Sequence, residues 1–454
     1  VTRALGMAMR RIQVGSALSA FGIGFTVPFL YVYVAQTRDL GAGAAGLVLA
    51  VFAVAALVVL PFVGRAIDRR GPLPVLVVAS LLSAAGAMAL GFSTSEVAAL
   101  ASAALLGAGT AVMAPALATM VVWCSTPQTR TRSFATQFFL QNLGLGIGGL
   151  AGGQLVDEHD PSSFVLLFSI EAAMFFVLAA IAASTRLPHA GGISEAVPAG
   201  DGGKRGMRSL LKDRAMVQLS VLGFVIFFAC YGQFDSGLAA YGVDAAGVSA
   251  STLGVALAAN TAVIVVAQFA VLRLVERRRR SRVIALVGLI WAFAWAVAGF
   301  AGLGHGSQAM ATAAFISTYG LFGLGESMLS PTVAPLVADL APEGMVGQYN
   351  SAFALVKQLA LALGPAIGGP MAASLHTPYI LTFLVFSLVI TVLALRIGPR
   401  LTAAQDQPYG AKSRVVAMGA AAEGGLIPAA EEAPLPLDAR ESSTTGENPA
   451  PAGI

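Results

Sequence analysis

Gly64-Arg65-Ala66-Ile67-Asp68-Arg69-Arg70-Gly71 is a short, densely charged stretch set between two long apolar runs. The chain around it has 454 residues, 57% of them hydrophobic and only 11% charged, with a mean hydropathy of +0.79. Soluble domains carry about 25% charged residues, and a water-soluble core of this size cannot hide so much apolar surface. Apolar runs near the ~20 residues that cross a bilayer as a helix recur along the sequence. The chain is therefore expected to cross a membrane many times, with the charged stretch as a tight turn at its surface.

Outward from that turn, twelve apolar segments can be drawn: 12–35, 43–63, 74–93, 97–122, 133–156, 162–184, 215–238, 249–272, 282–302, 309–338, 350–374 and 378–396. The runs are continuous rather than alternating, which excludes a β-barrel. Lipid leaves open backbone groups unsatisfied, so each run is expected to be a helix. The first is too long for a signal-peptide core. The fold class is an all-α membrane protein with twelve transmembrane helices.

Charge sets the orientation. With a cytoplasmic N-terminus and alternating segments, 25 of the 27 basic residues fall on the cytoplasmic side, leaving only Arg38 outside and Lys357 within a helix. Such a bias satisfies the positive-inside rule, so both termini are expected in the cytoplasm, with the chain integral to the cell (plasma) membrane. The net charge of +4 then requires no nucleic-acid partner. Cys124 and Cys230 stand alone and His159, His189, His305 and His376 are scattered, so neither a disulfide framework nor a metal site is expected. No Gly-x-x-x-x-Gly-Lys-Ser/Thr loop is present, which argues against an ATP-driven pump, and no cofactor or enzymatic chemistry is indicated.

The segments divide six and six. Residues 1–186 form an expected N-terminal bundle, 187–214 a central cytoplasmic loop and 215–399 a C-terminal bundle. Residues 400–454, rich in Ala, Pro and Glu without apolar periodicity, read as a disordered tail. The halves repeat. An offset of 208 sets Arg65, Asp68, Arg69 and Arg70 against Arg273, Glu276, Arg277 and Arg278. Further on an offset of 216 sets Gly107, Gly109 and Pro115 against Gly323, Gly325 and Pro331, and Gly148, Gly152 and Gly153 against Gly364, Gly368 and Gly369. Internal symmetry of this kind belongs to transporters that rock two bundles around a central site.

The turn Gly64-x-x-x-Asp68-Arg69-x-Gly71, twelve segments and the six-plus-six repeat resemble the major facilitator superfamily over about residues 10–397. The resemblance implies alternating access between two pseudo-symmetric bundles by a single polypeptide, expected as a monomer, with a small-molecule substrate and protons as partners. It is similar in particular to the twelve-helix drug/proton antiporters, with departures. Pro72-Leu73-Pro74 follows the second glycine of the turn, Gly149 replaces a family proline in segment 5, the intact Gly-Pro-x-x-Gly-Gly sits at Gly364-Pro365 to Gly369 in segment 11, and Ala103 stands where many proton-coupled members have arginine.

From these readings come the candidate residues. Gly64, Arg65, Asp68, Arg69 and Gly71 are the gating candidates, and the resemblance places Asp68 near the start of segment 11 in a switchable charge network. Glu276 with Arg277 to Arg280 is its worn copy, which has lost the glycines. Inside the segments lie Glu171, Asp235, Glu326 and Lys357. Each costs about 2.5–3.5 kcal/mol at mid-membrane, so each needs a partner or a wet cavity, and the acids are the proton-coupling candidates. A Glu326–Lys357 ion pair is one expected arrangement. Phe25, Phe29, Tyr33, Phe227, Tyr231, Phe234 and Asn260 are expected to line the substrate cavity, a wall suited to bulky amphipathic molecules. Gly144, Gly148, Gly152, Gly153, Gly364, Pro365, Gly368 and Gly369 are expected to let helices approach closely. The function expected is proton-coupled efflux of a hydrophobic or cationic small molecule such as an antibiotic. The alternatives are a nutrient symporter, disfavoured by the few polar cavity residues, and a non-transporting membrane sensor.

Overall fold

The computed structural model describes residues 2–157, 160–185, 210–234, 236–303 and 307–408. Within them the chain is helical at all twelve expected positions: α1 (Thr2–Thr26), α2 (Gly41–Arg70), α3 (Pro72–Gly91), α4 (Glu96–Trp123), α5 (Pro127–Leu155) and α6 (Pro161–Ser184) in the first half. The second half holds α7 (Arg214–Ile226), α8 (Ala250–Val275), α9 (Arg280–Leu303), α10 (Gln308–Leu340), α11 (Val346–Ser374) and α12 (His376–Ile397), and a short α13 (Ala403–Asp406) follows. Ten of these are each long and apolar enough to cross a bilayer, α7 by way of its extension to Phe234, and α1 with its continuation to Thr37 makes an eleventh across a 44° bend. The twelfth, α5, is long enough at 29 residues and is more polar because it carries the contacts between bundles. Residues 187–209 of the expected central loop (187–214), Asp235, and residues 409–454 of the expected tail lie outside the described residues.

Side chains are distributed inside out. Phe62 is 72% exposed, Val97 77% and Val266 79%, on surfaces that only lipid can cover. Each bundle has its own apolar core. In the first, Tyr33, Phe164, Phe168 and Phe175 pack together; in the second, Trp291, Trp295, Phe322, Tyr379 and Phe383 are fully buried.

The glycine ladders work as helix contacts, and they do so symmetrically. A side chain at Gly144 or Gly148 would strike the α1 carbonyls of Ala17 and Phe21, and one at Gly152 would crowd Phe25. In the second half Gly364 backs onto Gly232 and Gly368 onto Gln233, beyond α7. Gln233 is locked there, donating to the carbonyls of Phe228 at 3.0 Å and Gly364 at 3.1 Å. Two expected members are not part of this packing: a Cβ at Gly153 would meet only Phe29, at 3.7 Å, and one at Gly369 would meet nothing within 4 Å. Their neighbours at Gly152 and Gly368 already occupy the contacting face, one residue being 100° away around a helix.

Residues 401–407 depart from the expected tail. Thr402 and Gln405 cap α13 reciprocally, and the Asp406 side chain accepts from the Ser281 backbone at 2.8 Å and its hydroxyl at 3.1 Å. A buried carboxylate satisfied at the start of α9 fixes this segment, which sequence periodicity could not show because the helix has only four residues.

Candidate transport site and inter-bundle lock

The hydrogen bonds and ion pairs that join the two bundles cluster at their arginine-rich end. Asp68, near the end of α2, accepts from the backbone N–H of Gly347 at 2.6 Å and of Gln348 at 3.1 Å. Both donors lie in the first turn of α11, where backbone N–H groups have no helical partner and the helix dipole favours an anion. Asp68 thus caps a helix of the other bundle. Gly64 makes this possible: a Cβ there would lie 2.5 Å from the Gln348 Cα. Gly71, at φ +82°, ends α2 in a conformation that side-chain-bearing residues rarely adopt. Arg65 and Arg69 are exposed and have no hydrogen-bond or ion-pair partner among the described residues. The contacts Asp68 makes are therefore with backbone amides rather than with its neighbouring arginines.

The worn copy makes the equivalent contact. Glu276, at the end of α8, pairs with Arg132 in the first turns of α5, including a bond of 2.9 Å from Nη2 to Oε2. Under the sequence repeat Glu276 is the counterpart of Asp68, and Arg132 is the counterpart of Gln348. The two contacts are one lock repeated across the pseudo-symmetry axis. A third link was not expected from sequence. Asp339, at the end of α10, takes Arg130 from α5 and Arg280 from α9, the latter at 2.6 Å, with side-chain exposures of 9%, 11% and 3%. Arg280 also donates to Thr131 across the interface at 3.3 Å and to the Gln405 carbonyl at 2.9 Å. Deeper in, Asn350 reaches Thr119 at 3.2 Å, and an apolar plug of Met9, Val121, Val122 and Phe134 closes on Ala338.

Asp68→Asn keeps the shape and removes the charge. Charge-assisted hydrogen bonds contribute about 1.5–3 kcal/mol, so the closed state of this end is expected to lose at least about tenfold in population. Maleimide labelling of Val122→Cys, in a background lacking Cys124 and Cys230, should accelerate accordingly while thermal unfolding stays unchanged. The stretch expected as a turn is helical through Arg70, with only Gly71 outside the helix, and an unaltered labelling rate would leave Asp68 with no part in closing this end.

Away from the lock, the second bundle assembles a polar cluster within an aromatic wall. Glu326 on α10 is buried, and its Oε1 accepts from Asn260 Nδ2 on α8 at 2.9 Å. The same Asn260 amide also donates to the Tyr319 carbonyl at 3.2 Å. Tyr231, in a π-helical turn (Phe227–Tyr231) that interrupts the seventh span, lies beside the Glu326 carboxylate. Its ring contacts Phe227 and Phe234, and Phe234 stacks on Tyr319 with centroids 5.6 Å apart. Tyr319 was missed at sequence level, although it lies seven residues before Glu326 and so shares its helix face.

The expected Glu326–Lys357 ion pair does not form. Lys357 is exposed and places its Nζ 5.0 Å from the centre of the Phe227 ring, within through-space influence of Glu326 but outside ion-pair distance. Glu171 belongs elsewhere: it is buried between α6 and α1, against Gly22, and neither carboxylate oxygen has a hydrogen-bond partner among the described residues. Of the first-half aromatics, Phe25 is buried against Gly152 of α5, and Phe29, half-buried, packs beside Gly152 and Gly153. Tyr33 is fully buried in the first core, donating to the Leu90 and Gly91 carbonyls and accepting from Arg38 at 2.8 Å. Aromatic identity reveals nothing about which helix face is used, and the small residues opposite these rings decided it.

The sequence profile of the Major Facilitator Superfamily matches residues 13–365. The chain belongs to this superfamily. Among curated proteins, the "Uncharacterized MFS-type transporter YttB" of Bacillus subtilis (strain 168) is 23% identical over 398 residues, spanning 85% of this chain and 92% of its own. Among solved structures, FucP in its outward conformation superposes with a TM-score of 0.71 at 16% identity, covering 87% of this chain and 99% of that one. The human organic anion transporter MFSD10 does so at 0.66 with 16% identity, over the same shares. As a member of the Major Facilitator Superfamily the chain is a secondary transporter of a small molecule, embedded in a membrane, and not an enzyme.

Proposed function

We propose that this transporter exports a hydrophobic or cationic small molecule from the cytoplasm in exchange for protons. The observation that carries the reading is Glu326: a buried carboxylate held by Asn260 and flanked by Tyr231, near the Phe234–Tyr319 stack, with no cation at ion-pair distance among the described residues. An ionised acid at membrane depth needs neutralising, and either a proton or an organic cation serves. One carboxylate cannot hold both, and that competition is the basis of exchange. The aromatic faces suit the cation, as Lys357 above Phe227 illustrates with a cation of the protein's own.

The charge bias supports placing the locked, arginine-rich end in the cytoplasm. On that orientation the described conformation is closed to the cytoplasm, the state in which an exporter releases substrate and takes up a proton. The similar folds do not decide the cargo, since one neighbour is a fucose:proton symporter and another an organic anion transporter. The direct test uses everted vesicles with an acidified lumen and ethidium as probe. Ethidium should accumulate in the lumen and, on addition, dissipate part of the pH gradient. An unchanged gradient and no accumulation would overturn cation/proton exchange, and proton-driven movement in the opposite direction would identify a symporter.

A further inference from the structure

We propose that the cleft between the end of α8, the start of α9 and the middle of α10 is a binding site for the head group of an anionic phospholipid. The cleft has a volume of about 400 Å³ and is lined by Arg277, Arg278, Arg279 and Arg282, with no carboxylate among its lining residues. The arginine run at the α8–α9 turn is divided by its partners. Arg280 is committed to Asp339, Thr131 and the Gln405 carbonyl, and the adjacent acid, Glu276, is turned to Arg132. The other four guanidinium groups have no hydrogen-bond or ion-pair partner among the described residues, and all four residues are exposed. Four cations lining one cleft make an anion site, and guanidinium groups match phosphate oxygens in geometry.

The remaining walls select a lipid over a free anion. Val275, Val283 and Met328 form a buried apolar floor, and Leu274 and Leu286 flank it at 55% and 45% exposure. Leu286 lies six residues into α9, about 9 Å below the arginine turn, so the apolar wall descends from head-group to acyl-chain depth. Basic pockets between helices at the cytoplasmic surface are where anionic head groups bind. Gln407 closes the cleft from the post-α12 segment and is itself anchored to the Arg277 carbonyl at 2.9 Å.

Native mass spectrometry of the full chain in detergent, with dioleoylphosphatidylglycerol or dioleoylphosphatidylcholine added, reads the site directly. The anionic lipid should give adducts well in excess of the zwitterionic one. The double variant Arg278→Gln/Arg282→Gln, at exposed positions, should lower those adducts about tenfold or more. Arg10→Gln/Arg11→Gln removes the same charge elsewhere on this face and should leave them in place. Inorganic phosphate at equal concentration should not displace the lipid. Equal adducts of both lipids, retention by the first variant, or equal loss in the second would overturn the site as a specific one. Displacement by inorganic phosphate would overturn the lipid as its occupant.

Discussion

Glu326→Gln should abolish gradient-driven transport while the protein remains folded and inserted. Glutamine preserves the length of the side chain and its capacity to accept from Asn260 Nδ2, so the polar cluster of α8 and α10 stays bonded. What disappears is the exchangeable charge. Removing an ionised group from membrane depth relieves a cost of about 2.5–3.5 kcal/mol, so thermal stability should hold or rise. Transport of ethidium against its gradient should fall by at least about 100-fold, because a neutral amide neither accepts the proton nor balances the cation. Substrate exchange across vesicles without a pH gradient should survive better than driven accumulation, since the bundles still rock. Glu171→Gln provides the contrast. Its carboxylate faces the α1–α6 seam inside one bundle, away from the Glu326 cluster, and driven transport should continue. Loss of coupling in Glu171→Gln together with its retention in Glu326→Gln would reverse the assignment.

Topology was legible because hydropathy acts on whole segments, and lipid permits few alternatives to a helix. Even α5, the most polar of the twelve, was drawn as an apolar run over 133–156. Half of the lock was legible too. The motif pointed to Asp68, and the resemblance pointed to the start of α11. Its mirror image is present in the repeat, where Glu276 lacks the flanking glycines and its role as a counterpart stays open on sequence alone. The structure gives the physical reason those glycines are dispensable. At the position matching Gly64 the second half has Leu272, a bulky side chain where the first half has none. At the position matching Gln348 it has Arg132, whose long side chain reaches Glu276 where a backbone amide could not. The Asp339 node was illegible for a different cause: its three members come from α5, α9 and α10, and only their packing joins them.

That node carries the second large effect. Asp339→Asn leaves Arg130 and Arg280 facing each other at 11% and 3% side-chain exposure without the carboxylate between them. Breaking a buried ion pair by removing one partner costs about 3–5 kcal/mol, more than an exposed pair such as Arg132–Glu276 is worth at about 0–1 kcal/mol. The loss falls in two places. Arg280 and Asp339 share a bundle, so their contact supports folding in every conformation. Arg130 belongs to the other bundle, so its contact supports only the closed end. Asp339→Asn should therefore lower the unfolding temperature and accelerate labelling of Val122→Cys together. Arg130→Gln should accelerate labelling and leave the unfolding temperature nearly unchanged, since Arg280 keeps its carboxylate. Combining the two substitutions removes the guanidinium that repels Arg280 and should recover part of the stability lost in Asp339→Asn alone. Additive losses in the double variant would show that the three side chains do not act as one unit, and the closed end would then rest on Asp68, Glu276 and the apolar plug.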